Sequence, residues 1–322
     1  MIASPPPDDG FRPAPWLPGA HAQTIWPALC RPTPHVTLTR HPVTLPDGAV
    51  IHTYWGPERP GPLVLLLHGL GGDAGAPYCR GLVRALAAAD FQAVVIEGRG
   101  TGGQPGRRFY HAGAWRDPAA VLARLPVADP RRTVHAVGIS IGGSILLNWL
   151  AATGEDCPLA SAVAVSTPFD LAACAANIDR GFARVYQAYL LNGLRRLLRR
   201  RARHNGAPVP ALTGIRSLRA FDERITAPLH GFRNAADYYR RASTAGRLAA
   251  VTRPCLLIQA EDDPFVPAST IPTASALGPR TRLERQPRGG HVGFVSGPHP
   301  LAADYWLERR VPHWIAAASA IL

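Results

Sequence analysis

An α/β fold, a mostly parallel sheet flanked by helices with a helical cap insertion, is the class this sequence predicts. Short continuous apolar runs recur along the chain, as strands covered on both faces require. Helical patterns lie between successive runs, an alternation that implies right-handed crossovers. Over residues 169–249 the alternation lapses into helical stretches without a strand, then resumes at Pro254.

Residues 1–34 are Pro-rich and carry one aromatic stretch, Trp16–Pro27 (WLPGAHAQTIWP), so an irregular packed segment is expected there rather than a free tail. Val36–Arg40 and Val50–Trp55 alternate as antiparallel strands around the turn Pro46-Asp47-Gly48. Buried strands follow at Leu63–Leu67, Gln92–Ile96, Thr133–Val137, Ser161–Val165 and Cys255–Gln259, with a further short strand pattern at Thr281–Arg285. Helices are predicted at about Tyr78–Ala89, Asp117–Arg124 and Gly142–Ala152. The expected organisation is a single domain over 1–322. Its core is residues 35–168 and 250–322, its packed N-terminal segment 1–34 and its cap insertion 169–249.

Composition narrows the class further. A chain that is 47% hydrophobic and 18% charged is neither disordered nor collagen-like nor a coiled coil. No apolar run reaches the ~18 residues of a membrane span; Trp314–Leu322 is about half that. The N-terminus lacks a basic start followed by an apolar stretch, so no secretory signal is expected. Five cysteines without a C-x-x-C pair read as buried thiols of a reducing, cytoplasmic compartment. All 35 basic residues are arginine, which weakens any argument from a choice of Arg over Lys. The net charge of +13 permits attraction to an anionic surface and requires none.

The sharpest chemical signal is Gly138-Ile139-Ser140-Ile141-Gly142, a G-x-S-x-G between a strand and a helical run. A tight strand-to-helix turn holds a hydroxyl out of the sheet, where a carbonyl can meet it, and the helix N-terminus faces the oxyanion that forms. Serine needs a base and an orienting acid, which in this architecture follow in the order acid, then histidine. Asp263 lies just past the strand Cys255–Gln259, and His291 sits among Gly289, Gly290 and Gly293 after the strand Thr281–Arg285. The three glycines are expected to free that loop to swing the imidazole over the sheet. Asp263 is preferred to Asp262 because it stands three residues beyond Ala260, the small residue ending the strand. Asp170 is the rival acid, with an N-cap as its other reading. The segment His68-Gly69-Leu70-Gly71-Gly72 follows an early buried strand, so the N–H groups of Leu70 and Ile141 are the expected oxyanion donors.

Gly98–Gly103 is glycine-rich but lacks the G-K-[ST] ending of a phosphate loop, and no H-E-x-x-H or paired Cys/His spacing occurs. No nucleotide, metal or other cofactor is expected. The basic segment Asn192–His204 carries Leu194, Leu197 and Leu198. It reads either as a solvated helix face or as a peripheral contact with an anionic membrane surface at the inner face. Nucleic acid is not an expected partner, since no recognition motif accompanies the charge.

The motifs together resemble the YheT-like α/β-hydrolases, relatives of the eukaryotic ABHD-type esterases and phospholipases. The likeness runs nearly the whole chain. It includes FRPAPWLPGAHAQTIWP, HGLGG with PYCRGL, GRGTGG with RRFYHAG, and GISIGG. It continues through RVYQAYLL, FDERITAPLHGF, NAADYYRRAS, AEDDPFVP and GGHVGF. The resemblance implies an α/β-hydrolase fold and a serine carboxylic-ester hydrolase with its triad at Ser140, Asp263 and His291. Short- to medium-chain esters or acylglycerol-like lipids are the implied substrates, and His68, Tyr110 and His111 are expected near the pocket. Two other readings use the same residues differently. An alcohol O-acyltransferase would replace water by an alcohol, and a non-catalytic lipid- or membrane-binding module would keep the fold without turnover.

Overall fold

Each buried apolar run becomes a strand whose alternate side chains enter opposite layers. In β3 (Leu63–Leu67), Leu63, Leu65 and Leu67 join one core while Val64 and Leu66 join the other. The same split holds in β4 (Gln92–Ile96), β5 (Val134–Ile139), β6 (Ser161–Val165) and β7 (Cys255–Ala260). The period-2 geometry of a strand explains why all-apolar runs are needed where both faces are covered. The computed structural model describes residues 10–101, 108–126, 129, 131–205 and 212–320. The first nine residues of the Pro-rich segment, Gly102 and Gly103 of the glycine-rich stretch, and Ile321 and Leu322 lie outside the described residues.

One eight-stranded sheet runs β1-β2-β4-β3-β5-β6-β7-β8, with β1 at Thr39–Thr44, β2 at Val50–Trp55 and β8 at Thr281–Gln286. From β4 through β8 every pairing is parallel; β1 and β2 are antiparallel to each other, and β2 to β4. The first strand is not the predicted Val36–Arg40. The tight turn sets the register, Leu45 and Ala49 closing it and Thr44 pairing with Val50, so the strand must abut the turn. Pro42 is tolerated there because β1 is an edge strand. Val36 still packs into the core, outside any strand.

Helices α2 (Pro77–Ala88) and α10 (Leu307–Ser319) cover one face. The other is covered by α3 (Arg116–Leu122), α4 (Ile141–Thr153) and residues of the β6–β7 segment. That segment holds α5 (Leu171–Ile178), α6 (Ala183–Asn205), α7 (Leu218–Phe221), α8 (Ala227–His230) and α9 (Ala235–Ala242). Asp222–Thr226, between α7 and α8, is a π-turn. An N-terminal helix, α1 (Gly19–Leu29), packs beside a small two-stranded pairing of β9 (Val295–Ser296) with β10 (Asp304–Tyr305). All five cysteines are free; Cys30 at the end of α1 is exposed and Cys174 only half-buried, so the expectation of five buried thiols holds for Cys79, Cys157 and Cys255 alone.

Candidate active site

The turn between β5 and α4 places Ser140 at φ 54°, ψ −121°, a conformation a non-glycine residue holds only when its surroundings enforce it. Ser140 N–H donates to Val165 O at 2.8 Å, locking the turn to β6. The flanking glycines answer to close approach. A Cβ at Gly142 would lie 2.2 Å from Leu67 O, and one at Gly138 2.5 Å from Gly142 O. Any side chain there would drive the elbow off the sheet.

Ser140 Oγ lies 3.0 Å from His291 Nε2, and His291 Nδ1 lies 2.9 Å from Asp263 Oδ2 and 3.1 Å from Oδ1. Asp263 also receives the Phe265 N–H at 2.8 Å, the Val266 N–H at 3.2 Å and the Gln259 amide at 3.0 Å. With its oxygens accepting from all sides, the imidazole must donate from Nδ1. That leaves Nε2 as the acceptor facing the serine hydroxyl. Phe265 stacks on the imidazole at 4.1 Å between centroids and fixes its plane. The structure thus brings these three residues into one relay. Asp170 stands apart as the N-cap of α5, accepting from Ala173 N–H at 3.0 Å.

The histidine loop is held, not free to swing. Asp262 accepts from Gly290 N–H at 2.9 Å, Thr24 Oγ1 from His291 N–H at 2.9 Å, and Ser166 Oγ from Val292 N–H at 3.0 Å. The Gln23 amide pairs both backbone groups of Val295, accepting its N–H at 2.8 Å and donating to its carbonyl at 3.0 Å. Val292 and Phe294 keep positive φ within this frame, at 64° and 42°. Burial raises the Asp262 carboxyl above the usual range, although the Gly290 N–H opposes it. Gln23 and Thr24 belong to α1, a contact that sequence reasoning missed although both residues lie in the N-terminal stretch FRPAPWLPGAHAQTIWP.

Leu70 and Ile141 both line the cavity in front of Ser140, and among the described residues neither N–H has a protein acceptor. Two phenols set the loop that presents Leu70: Tyr78 Oη accepts from Gly69 N–H at 2.8 Å and Tyr110 Oη from Gly71 N–H at 2.6 Å. Burial raises both phenols well above their ordinary range, so each stays neutral. His68 corrects an expectation. It lies behind the loop, lining a separate void of about 30 Å³ rather than the main cavity. Its Nε2 accepts from Gly98 N–H at 2.9 Å, so Nδ1 donates to Gly69 O at 2.8 Å, and both ring nitrogens serve the backbone. Burial lowers its pKa accordingly. Beside it, Arg99 ties Asp117 at 2.7 Å and Asp47 at 2.8 Å, so the described part of the glycine-rich stretch is built around an ion-pair bridge.

The main cavity measures about 500 Å³ and is walled chiefly by apolar side chains from α1, the elbow and the β6–β7 helices. Tyr110 and His111 line it. Burial, with His230 alongside, pushes the His111 pKa down to about 3. At its mouth Leu29, Val185 and Tyr189 are 75%, 56% and 66% exposed. Leu194, Leu197 and Leu198 of the basic segment point inward and are buried, while Arg196, Arg199 and Arg200 stay exposed. The exposed side of this segment therefore carries the arginines without these leucines. Among the described residues no helix is long and apolar enough to cross a membrane.

Residues 62–298 match the family model of the alpha/beta hydrolase fold. YheT of Escherichia coli (strain K12) is 38% identical over 308 residues, which cover 92% of this chain and 89% of that protein. Phospholipase ABHD3 of Mus musculus is 28% identical over 92% of this chain and 75% of its own length. Among solved structures, the Pyrococcus furiosus esterase Pf2001 superimposes with a TM-score of 0.57 over 87% of this chain and 92% of that one, at 15% identity, a likeness of fold. A match of this extent, spanning the elbow, the inserted helices and the histidine loop alike, makes the chain a member of the YheT-like family of α/β-hydrolases.

Proposed function

We propose that this carboxylic-ester hydrolase cleaves its substrate by two-step acyl transfer, with Ser140 as nucleophile, His291 as general base and then acid, and Asp263 as the group that orients the imidazole. The observation carrying this reading is the unbroken relay Asp263–His291–Ser140, with its 2.9 Å and 3.0 Å links, opening onto an apolar cavity. His291 Nε2 takes the hydroxyl proton as Ser140 Oγ attacks the ester carbonyl. Asp263 stabilises the imidazolium that results. The oxyanion sits on the Leu70 and Ile141 N–H groups, each worth about 10²–10³ in rate in comparable sites. His291 then protonates the leaving alcohol and activates water against the acyl-enzyme.

A cavity of about 500 Å³ with apolar walls suits the acyl chain of a short- or medium-chain ester or of a lipid. In this reading residues 169–249 act as a cap over the acyl site. Contact with an anionic lipid surface falls to the exposed rim of Leu29, Val185 and Tyr189, flanked by the exposed arginines of α6.

Ser140→Ala is the direct test. Hydrolysis of p-nitrophenyl butyrate should fall at least about 10³-fold with the circular-dichroism spectrum unchanged. Equal rates in variant and wild type would end the serine-hydrolase reading.

A further inference from the structure

One part of the cavity wall is built against the grain of the rest. Asp222 opens the π-turn Asp222–Thr226 and lines the cavity beside Leu218 and Phe221. Thr226 Oγ1–H donates to its Oδ1 at 2.6 Å and Tyr239 Oη–H to its Oδ2 at 2.8 Å, and both of these residues line the cavity too. Among the described residues no cation offsets the carboxyl, and burial pushes its pKa up to about 6. A carboxyl placed in an apolar wall without a counter-ion carries a large desolvation cost. A π-turn is itself a rare, poorly bonded piece of helix that recurs at functional positions.

A carboxylate offers about four lone-pair sites, and the two hydroxyls occupy two of them. Each hydroxyl, having donated its proton to Asp222, keeps its own lone pairs free to accept. The cluster is therefore an acceptor patch whose complement is an O–H donor. An acyl chain has no such group, whereas the alcohol portion of a partly esterified polyol does. We propose that Asp222, Thr226 and Tyr239 form a subsite for a free hydroxyl on the alcohol portion of the substrate, selecting partial esters of polyols over simple alkyl esters. This deepens the reading of Ser140 as the nucleophile and rests on it. The opposing explanation is a purely structural staple joining the π-turn to α9, which would hold the fold but leave selectivity alone.

The experiment compares kcat/KM for 1-monooctanoylglycerol and ethyl octanoate, which share an acyl chain, in wild type, Asp222→Asn and Tyr239→Phe. Wild type should favour the glyceryl ester, and the preference should shrink at least about tenfold in Asp222→Asn, through a higher KM for the glyceryl ester. Tyr239→Phe removes a single oxygen, so it keeps the test alive if Asp222→Asn folds poorly, and it should shrink the preference in the same direction. A wild-type ratio near one, or a ratio unmoved in the folded variants, overturns the subsite. Fluorophosphonate labelling of Ser140 separates the two levels. Absence of labelling in wild type removes the nucleophile and the subsite together, whereas intact labelling with an unmoved ratio removes the subsite alone.

Discussion

Gln23→Met probes how the N-terminal helix supports the proposed base. Gln23 is 1% exposed and lies outside the cavity lining, so the substitution touches neither substrate space nor solvent. Met fills a comparable volume and limits any cavity contribution. What is lost is the pairing with Val295. Its carbonyl keeps the Ala14 N–H at 2.9 Å, but its buried N–H loses its acceptor at 2.8 Å. One unsatisfied buried donor costs about 1–3 kcal/mol, which at this chain length lowers the melting temperature by roughly 1.5–4.5 °C. His291 would then hang from fewer anchors, and a displacement approaching 1 Å lowers rate by roughly 10²-fold. The drop should appear in kcat for p-nitrophenyl butyrate and leave KM nearly unchanged. Gln23→Glu sharpens the argument, since an ionised carboxylate still accepts from Val295 N–H yet sets an oxygen against the carbonyl now 3.0 Å from the amide nitrogen. A Gln23→Met protein with wild-type melting and wild-type kcat would refute the idea that α1 positions the histidine loop.

Gly142→Ala should destabilise the fold by about 3 kcal/mol in urea unfolding and depress kcat, because its Cβ would meet Leu67 O at 2.2 Å and His68 O at 2.8 Å, both backbone. Stability against pH should register Asp222. Its folded pKa is raised from 3.8 to about 6, so its contribution is fully present below pH ~4 and is lost as pH rises through about 6. The stability of wild type relative to Asp222→Asn should therefore fall by about 2.4 kcal/mol between pH 4 and pH 7 in denaturant titrations, and a flat difference would contradict the burial argument.

The elbow and the central strands were legible because their signals are local. A parallel strand buried on both faces must be apolar throughout, and Ser140 is bracketed by glycines that its own turn requires. The first strand was misread because β1 lies at an edge with Thr39, Arg40, His41 and Pro42 exposed, so hydrophobic alternation says little and the turn decides the register. Helix orientation was equally hidden. In α6 the leucines and arginines alternate along the chain, but only the packed structure turns Leu194, Leu197 and Leu198 inward. His68 stood next to the expected oxyanion loop and turned out to serve the backbone behind it. Asp222 and Gln23 carried no local signal for their roles, since Asp222 meets Tyr239 across 17 residues and Gln23 meets Val295 across 272.

That last separation has a bearing on how the protein is made. On the ribosome α1 emerges well before the loop that its glutamine and threonine clasp. At ordinary synthesis speeds the interval is on the order of tens of seconds. Through that time the helix carries an unmatched amide and an unshielded apolar side. Catalytic competence thus waits until the later segment closes back onto the helix made well before it.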